Sequence, residues 1–118
     1  MVALVEPNSA FAESHNERSY VVRNDRELRL SVDETVLVRL PVQLGTGYSW
    51  SILRTQEFCS IIEKPTEGEN SNPGAEEFQV FRVKAKRAGK GEISFLLSRP
   101  FQRDRKTDRI IHLSLVTE

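Results

Sequence analysis

From Leu28 onward, apolar residues recur at every second position of the chain. Leu28, Leu30 and Val32 alternate with charged or polar neighbours, and after the Asp33-Glu34 corner Val36, Val38 and Leu40 resume the same beat. Period two is the mark of a half-buried β-strand, whose side chains face alternately inward and outward. Tyr48, Trp50 and Ile52 continue it, and Phe58 with Ile61 and Ile62 marks a shorter, less regular strand. Phe81, Val83 and Ala85 alternate with Arg82 and Lys84, "RAGKGE" turns the chain, and Ile93, Phe95 and Leu97 alternate back, which predicts a hairpin with a glycine-bearing loop. Ile111, Leu113 and Leu115 make the last strand. About seven short strands and no amphipathic helix predict an all-β, immunoglobulin-like antiparallel β-sandwich, a small barrel being the alternative. Val38, Trp50, Phe81, Val83, Phe95 and Leu113 are expected between its sheets.

Length agrees with one domain, since 118 residues leave no room for a second sizeable core. Residues 20–118 are read as that domain. Residues 1–19, "MVALVEPNSAFAESHNERS", are read as a flexible lead-in or the remnant of a trimmed export signal. The stretch has a small-x-small "AFA" but no basic start, and its apolar run stops at Val5. An export signal would place the protein in the periplasm or outside the cell; the other reading leaves the compartment open, the cytoplasm included.

Charge removes some partners from consideration. Acidic and basic residues balance at 17 each, so no overall field draws the chain to nucleic acid or an anionic membrane, and no stretch approaches the roughly 20 apolar residues of a membrane helix. Recognition by shape is expected, with no nucleic acid or membrane as partner.

The side chains offer little chemistry. Cys59 is the only cysteine, which excludes an internal disulfide. It sits in "FCSII" as a small strand residue with nothing electropositive near it in sequence, so a nucleophile paired with His15 or His112 is the weaker reading. Two isolated histidines make no metal site. The carboxylate pairs Asp33-Glu34 and Glu76-Glu77 are sequence neighbours that face opposite ways on a strand and cannot converge on a glycosidic bond. "GTG", Gly45 to Gly47, lacks the Lys-Ser/Thr of a phosphate loop and leads into a strand. No catalytic set, metal or cofactor is expected.

Three connections exceed what a turn requires. "QLGTG" interrupts two good strands with glycines that neither fill a core nor propagate a sheet. "EKPTEGENSNPGAEE", Glu63 to Glu77, is long and rich in Pro, Gly, Asn and Glu. "SRPFQRDRKTDR", Ser98 to Arg109, sets Arg99, Pro100 and Phe101 straight after a strand. Loops of a sandwich gather at its two ends, so these three can form one surface, and an aromatic and an arginine on rigid loops are the residue types of binding hot spots.

In their order and spacing, "LPVQLGTGYSW" (Leu40 to Trp50), "PGAEEFQVFRVKA" (Pro73 to Ala85) and "ISFLLSRPF" (Ile93 to Phe101) resemble chagasin and the bacterial inhibitors of cysteine peptidase. The family pattern is "LP…NPTTGY-x-W", a glycine-rich middle loop running into "VFRFKA", and "L-x-F-x-Y-x-RPW". The resemblance covers about two thirds of the chain. It implies a reversible, tight-binding inhibitor of papain-like cysteine peptidases, endogenous or of a host, that acts as a monomer, has no enzyme activity and needs no cofactor. It lays Thr46 and Gly47 across the catalytic cysteine, with Gly45 and Tyr48 beside them among the peptidase-binding residues, Gly74, Ala75, Glu76 and Glu77 flanking the cleft on one side and Arg99, Pro100 and Phe101 on the other. The chain departs from the pattern at Gln43-Leu44-Gly45, which replaces Asn-Pro-Thr, in a middle loop with fewer glycines, and at Phe101, where Trp is usual. A non-inhibitory adhesion or scaffold domain on the same sandwich is the alternative.

Overall fold

The computed structural model describes residues 17–68, 76–99 and 108–118. Eight strands run in the order β1 (Arg18–Val21), β2 (Arg26–Leu30), β3 (Thr35–Val42), β4 (Ser49–Arg54), β5 (Cys59–Glu67), β6 (Glu77–Ala85), β7 (Gly89–Ser98) and β8 (Arg109–Thr117). The one helical element among the described residues is a 3-10 turn, Leu44–Thr46. Two four-stranded sheets, ordered β1-β3-β6-β5 and β2-β8-β7-β4, pack as an immunoglobulin-like β-sandwich.

The alternation read from the sequence selects the buried face. Val38, Trp50, Phe81, Val83, Phe95 and Leu113 are all buried. Phe81 and Phe95, from opposite sheets, meet with ring centroids 5.0 Å apart and planes tilted by 47°, an aromatic geometry that adds to the burial of both rings. Val32 and Ile52 depart from the beat and are largely exposed. Val32 lies in the turn that ends at Asp33, which takes a φ of 71°. Ile52, on the edge strand β4, still pairs in register with Phe95, and the register slips only between it and Arg54.

Pairing differs from the sequence reading in three places. The predicted hairpin from Phe81 to Leu97 does not form: β6 pairs with β3 and β5, while β7 belongs to the other sheet and pairs with β4 and β8. The crossing between sheets is therefore only Lys86 to Ala88, and the rest of "RAGKGE" already belongs to β7. The amides of Lys86 and Arg87 donate to the carbonyl of Phe58 at 2.8 and 3.3 Å. Gly89 presses against that residue's ring, where a Cβ would come within 2.7 Å. Second, the strand after Phe58 is long, and β5 extends through Pro65 to Glu67, so the middle connection is shorter than the expected Glu63 to Glu77. Third, the edge strands β1 and β2 pair in parallel with β3 and β8, the remaining ladders being antiparallel.

Register places the stems of the three long connections. Val42 lies opposite Glu77, Ser49 opposite Ser98, and Leu97 opposite Arg109. The stems of all three long connections therefore emerge at the same end of the sandwich.

Candidate functional site

The first connection is a braced turn. Crossing from β3 in one sheet to β4 in the other, it folds into the 3-10 turn Leu44–Thr46, and Gly47 follows at a φ of 87°, a left-handed region that is strained for any residue with a Cβ. Thr46 holds the turn twice. Its amide donates to the Gln43 carbonyl at 3.0 Å, and its hydroxyl donates to the same oxygen at 2.5 Å while facing the Tyr48 amide at 3.4 Å. Gly45 is different, since nothing lies within 4 Å of where its Cβ would stand and its φ is not positive. The fold therefore makes no demand for glycine at position 45.

Arg99, leaving β7, reaches back over this turn. Its Nε donates to the Thr46 carbonyl at 2.8 Å, and its guanidinium carbon sits 4.7 Å from the centroid of the Tyr48 ring, within cation–π range. Behind the turn, Trp50 anchors β4. Its indole N–H donates to the Pro41 carbonyl at 2.8 Å. Its backbone amide donates to Gln79 Oε1 at 2.5 Å and its carbonyl accepts from Gln79 Nε2 at 3.1 Å. A buried glutamine of β6 thus satisfies the open side of an edge strand in the opposite sheet.

The stem of the middle connection is tied down as well. Glu76 forms a two-pronged ion pair with Arg23, at 2.7 and 2.9 Å, and Arg109 Nη2 donates to the Arg23 carbonyl at 2.9 Å. The paired guanidinium holds the Glu76 carboxyl below the usual carboxylate range. A lowered carboxylate pKa keeps a pair intact above that pKa and releases it only as the pH falls through it, so this contact persists in mildly acidic solution. Both side chains are exposed, and the pair orients a loop stem more than it stabilises the fold. Between this stem and the first turn, Pro41, Val42, Gln43, Thr46, Tyr48, Glu76 and Leu97 line a hollow of about 270 Å³. A larger hollow of about 1090 Å³ lies away from these loops, around Arg18, Asp33, Glu34, Arg82 and Lys84, and Arg18–Glu34 and Arg82–Glu17 ion pairs occupy its walls.

Of the residues singled out in the sequence, Thr46, Gly47, Tyr48 and Arg99 are in mutual contact, Gly45 is the middle residue of their turn, Glu76 immediately precedes β6 and Glu77 begins it. Gly74, Ala75, Pro100 and Phe101 lie outside the described residues. Arg23, Gln79 and Arg109 were not legible as site residues. For Gln79 a signal existed, since a polar residue on the inward phase of β6 requires a buried partner; Arg23 and Arg109 carry no pattern that marks them.

Cys59 is buried, and desolvation pushes its thiol above its ordinary pKa. That is the reverse of what activates a nucleophile. His112 projects outward and shares Nδ1 contacts with Ser94 Oγ at 3.1 Å and Glu92 at 3.2 Å. A serine and a carboxylate on the same ring nitrogen leave no relay through the imidazole.

A sandwich from which the stems of three long connections leave at one end, one of them a braced glycine turn, is a rigid scaffold of the class that can carry binding loops. The chain is more specific than that class: residues 29–115 match the model described as "Chagasin family peptidase inhibitor I42", and the chain belongs to the chagasin family of peptidase inhibitors. No curated protein sequence matches it. Among solved structures it is similar to the cysteine protease inhibitor EhICP2 from Entamoeba histolytica, at 18% identity and a TM-score of 0.69 over 86% of this chain and 97% of that one. It is similar also to PbICP-C, solved in complex with falcipain-2, at 18% identity and a TM-score of 0.68 over 86% and 99%. Leishmania mexicana ICP aligns at 22% identity with a TM-score of 0.61 over 82% and 91%. At these identities the likenesses speak for the fold.

Proposed function

We propose that this protein is a reversible, tight-binding inhibitor of papain-like cysteine peptidases, acting as a monomer without cofactor or enzyme activity of its own. The Gly45–Tyr48 turn enters the active-site cleft, Gly74 to Glu77 flank it on one side, and Arg99, Pro100 and Phe101 flank it on the other. The braced turn is the observation that carries the reading. Held from behind by Thr46 and Arg99, and with Gly45 and Gly47 adding no side-chain bulk, it suits a segment that reaches the floor of a narrow cleft. Membership in a family of peptidase inhibitors supports the same reading, as does the structurally similar inhibitor solved on falcipain-2. The protein carries no net charge, so an interface on the order of 800 Å² per partner is held mainly by shape and weakens only mildly with salt.

Titration of papain with the protein tests this directly. Loss of peptidase activity in proportion to added protein, recovered on dilution, is expected; no inhibition at micromolar concentration would favour the adhesion or scaffold alternative. Thr46→Val tests the brace. Valine keeps the shape and removes the hydroxyl, so about 1 kcal/mol of loop order is lost and the inhibition constant rises roughly fivefold with little change in melting temperature. An unchanged constant would mean that the hydroxyl does not hold the turn.

A further inference from the structure

Arg99 does more than border the loop surface. Its Nε holds the carbonyl oxygen of Thr46 at 2.8 Å. Its stem passes 3.8 Å from the place a Cβ would take on Gly47, and its guanidinium faces the Tyr48 ring at 4.7 Å. Two contacts, to the Thr46 carbonyl and to the Tyr48 ring, hold this side chain beside a single peptide bond, Thr46–Gly47. The function proposed above, on which this step rests, sets that bond nearest the peptidase's thiolate. An exposed glycine turn pushed into a protease cleft is, on composition alone, a good substrate.

We infer that Arg99 is the strap that keeps this inhibitor from being cleaved. Hydrolysis would begin with the peptidase's thiolate sulfur bonding to the Thr46 carbonyl carbon as the carbonyl electron pair moves onto oxygen. Collapse would break the bond to the Gly47 nitrogen, which takes a proton from the peptidase's histidine, and water would then release the thioester as a Thr46 carboxylate. The first step needs the carbonyl oxygen to reach hydrogen-bond donors in the peptidase as charge develops on it. In this protein the oxygen is already held by a guanidinium of the same chain, and its direction is set from the other side by the Gly47 backbone. A guanidinium also polarises the carbonyl it binds, which by itself favours attack. Direction decides the balance, because an oxygen tied toward the end of β7 is not delivered to the peptidase's donors. Arg99 is a positioning residue in this account, and loss of the strap turns an inhibitor into a slow substrate.

The test incubates active papain with an excess of the parent, Arg99→Ala or Arg99→Lys and follows intact mass and residual inhibition over hours. The parent is expected to stay whole. Arg99→Ala is expected to be cut between Thr46 and Gly47 at least tenfold faster, into pieces of 46 and 72 residues, with inhibition decaying in step. Arg99→Lys keeps a charged donor but not the fork or the planar stack, and falls between the two. Arg99 is exposed, and circular dichroism establishes that each variant is folded. An intact Thr46–Gly47 bond in folded Arg99→Ala, whether or not that variant still inhibits, overturns the strap and leaves Arg99 as an ordinary contact. Failure of the parent to inhibit is a separate result and overturns the proposed function itself.

Discussion

Gly47→Glu is expected to weaken inhibition of a papain-like peptidase by about 150-fold, which corresponds to about 3 kcal/mol. Two terms add. The backbone at position 47 sits at a φ of 87°, and an L-residue held there loses about 1 kcal/mol through its Cβ. The remainder comes from a charged side chain at the point of closest approach, where the cleft floor leaves it neither room nor water. Gly47→Ala separates the two. Its Cβ would meet only the stem of Arg99 at 3.8 Å, an ordinary contact, so alanine reports the backbone term alone and should raise the inhibition constant about fivefold. Both variants should keep the melting temperature of the sandwich within a few degrees, since the turn is exposed and lies outside the core. If folded Gly47→Glu inhibits as well as the parent, the first loop does not enter the cleft.

Gln79→Leu is expected to give the largest loss of stability of any single polar substitution discussed, about 2 to 4 kcal/mol. The side chain is 4% exposed and makes hydrogen bonds of 2.5 and 3.1 Å to both backbone groups of Trp50, with a further contact to Glu63 Oε2 at 3.3 Å. Leucine fills similar space but leaves a buried amide and a buried carbonyl without partners. For a domain of this size the loss corresponds to a fall in melting temperature of roughly 8 to 16 °C, and to a lower urea midpoint at unchanged slope. A loss under about 1 kcal/mol would show that water reaches the Trp50 backbone once the glutamine is gone. Because β4 leads directly out of the first loop, inhibition should weaken along with stability.

Much of this molecule follows from a period of two. Alternation identified β3, β6, β7 and β8, and it selected Val38, Trp50, Phe81, Val83, Phe95 and Leu113 as core, because a residue's face on a strand depends only on its own neighbours along the chain. Three connections too elaborate for turns were visible for the same local reason. Partner choice was not. The Phe81 to Leu97 hairpin failed because alternation says which way a side chain faces and nothing about which strand lies alongside; Gly89, taken as a turn residue, serves a close approach to the Phe58 ring. The outer half of β5 stayed hidden because Glu63 to Glu67 carries polar residues on both faces and so shows no apolar alternation, and Pro65 is admissible there since an edge strand leaves part of its backbone unpaired. The braces of the loop surface, Gln79 on Trp50, Arg23 on Glu76 and Arg99 on Thr46, join residues 29 to 53 positions apart. A hydrogen bond of that span leaves no trace in local pattern, and it exists only after two sheets, packed for other reasons, have brought donor and acceptor together.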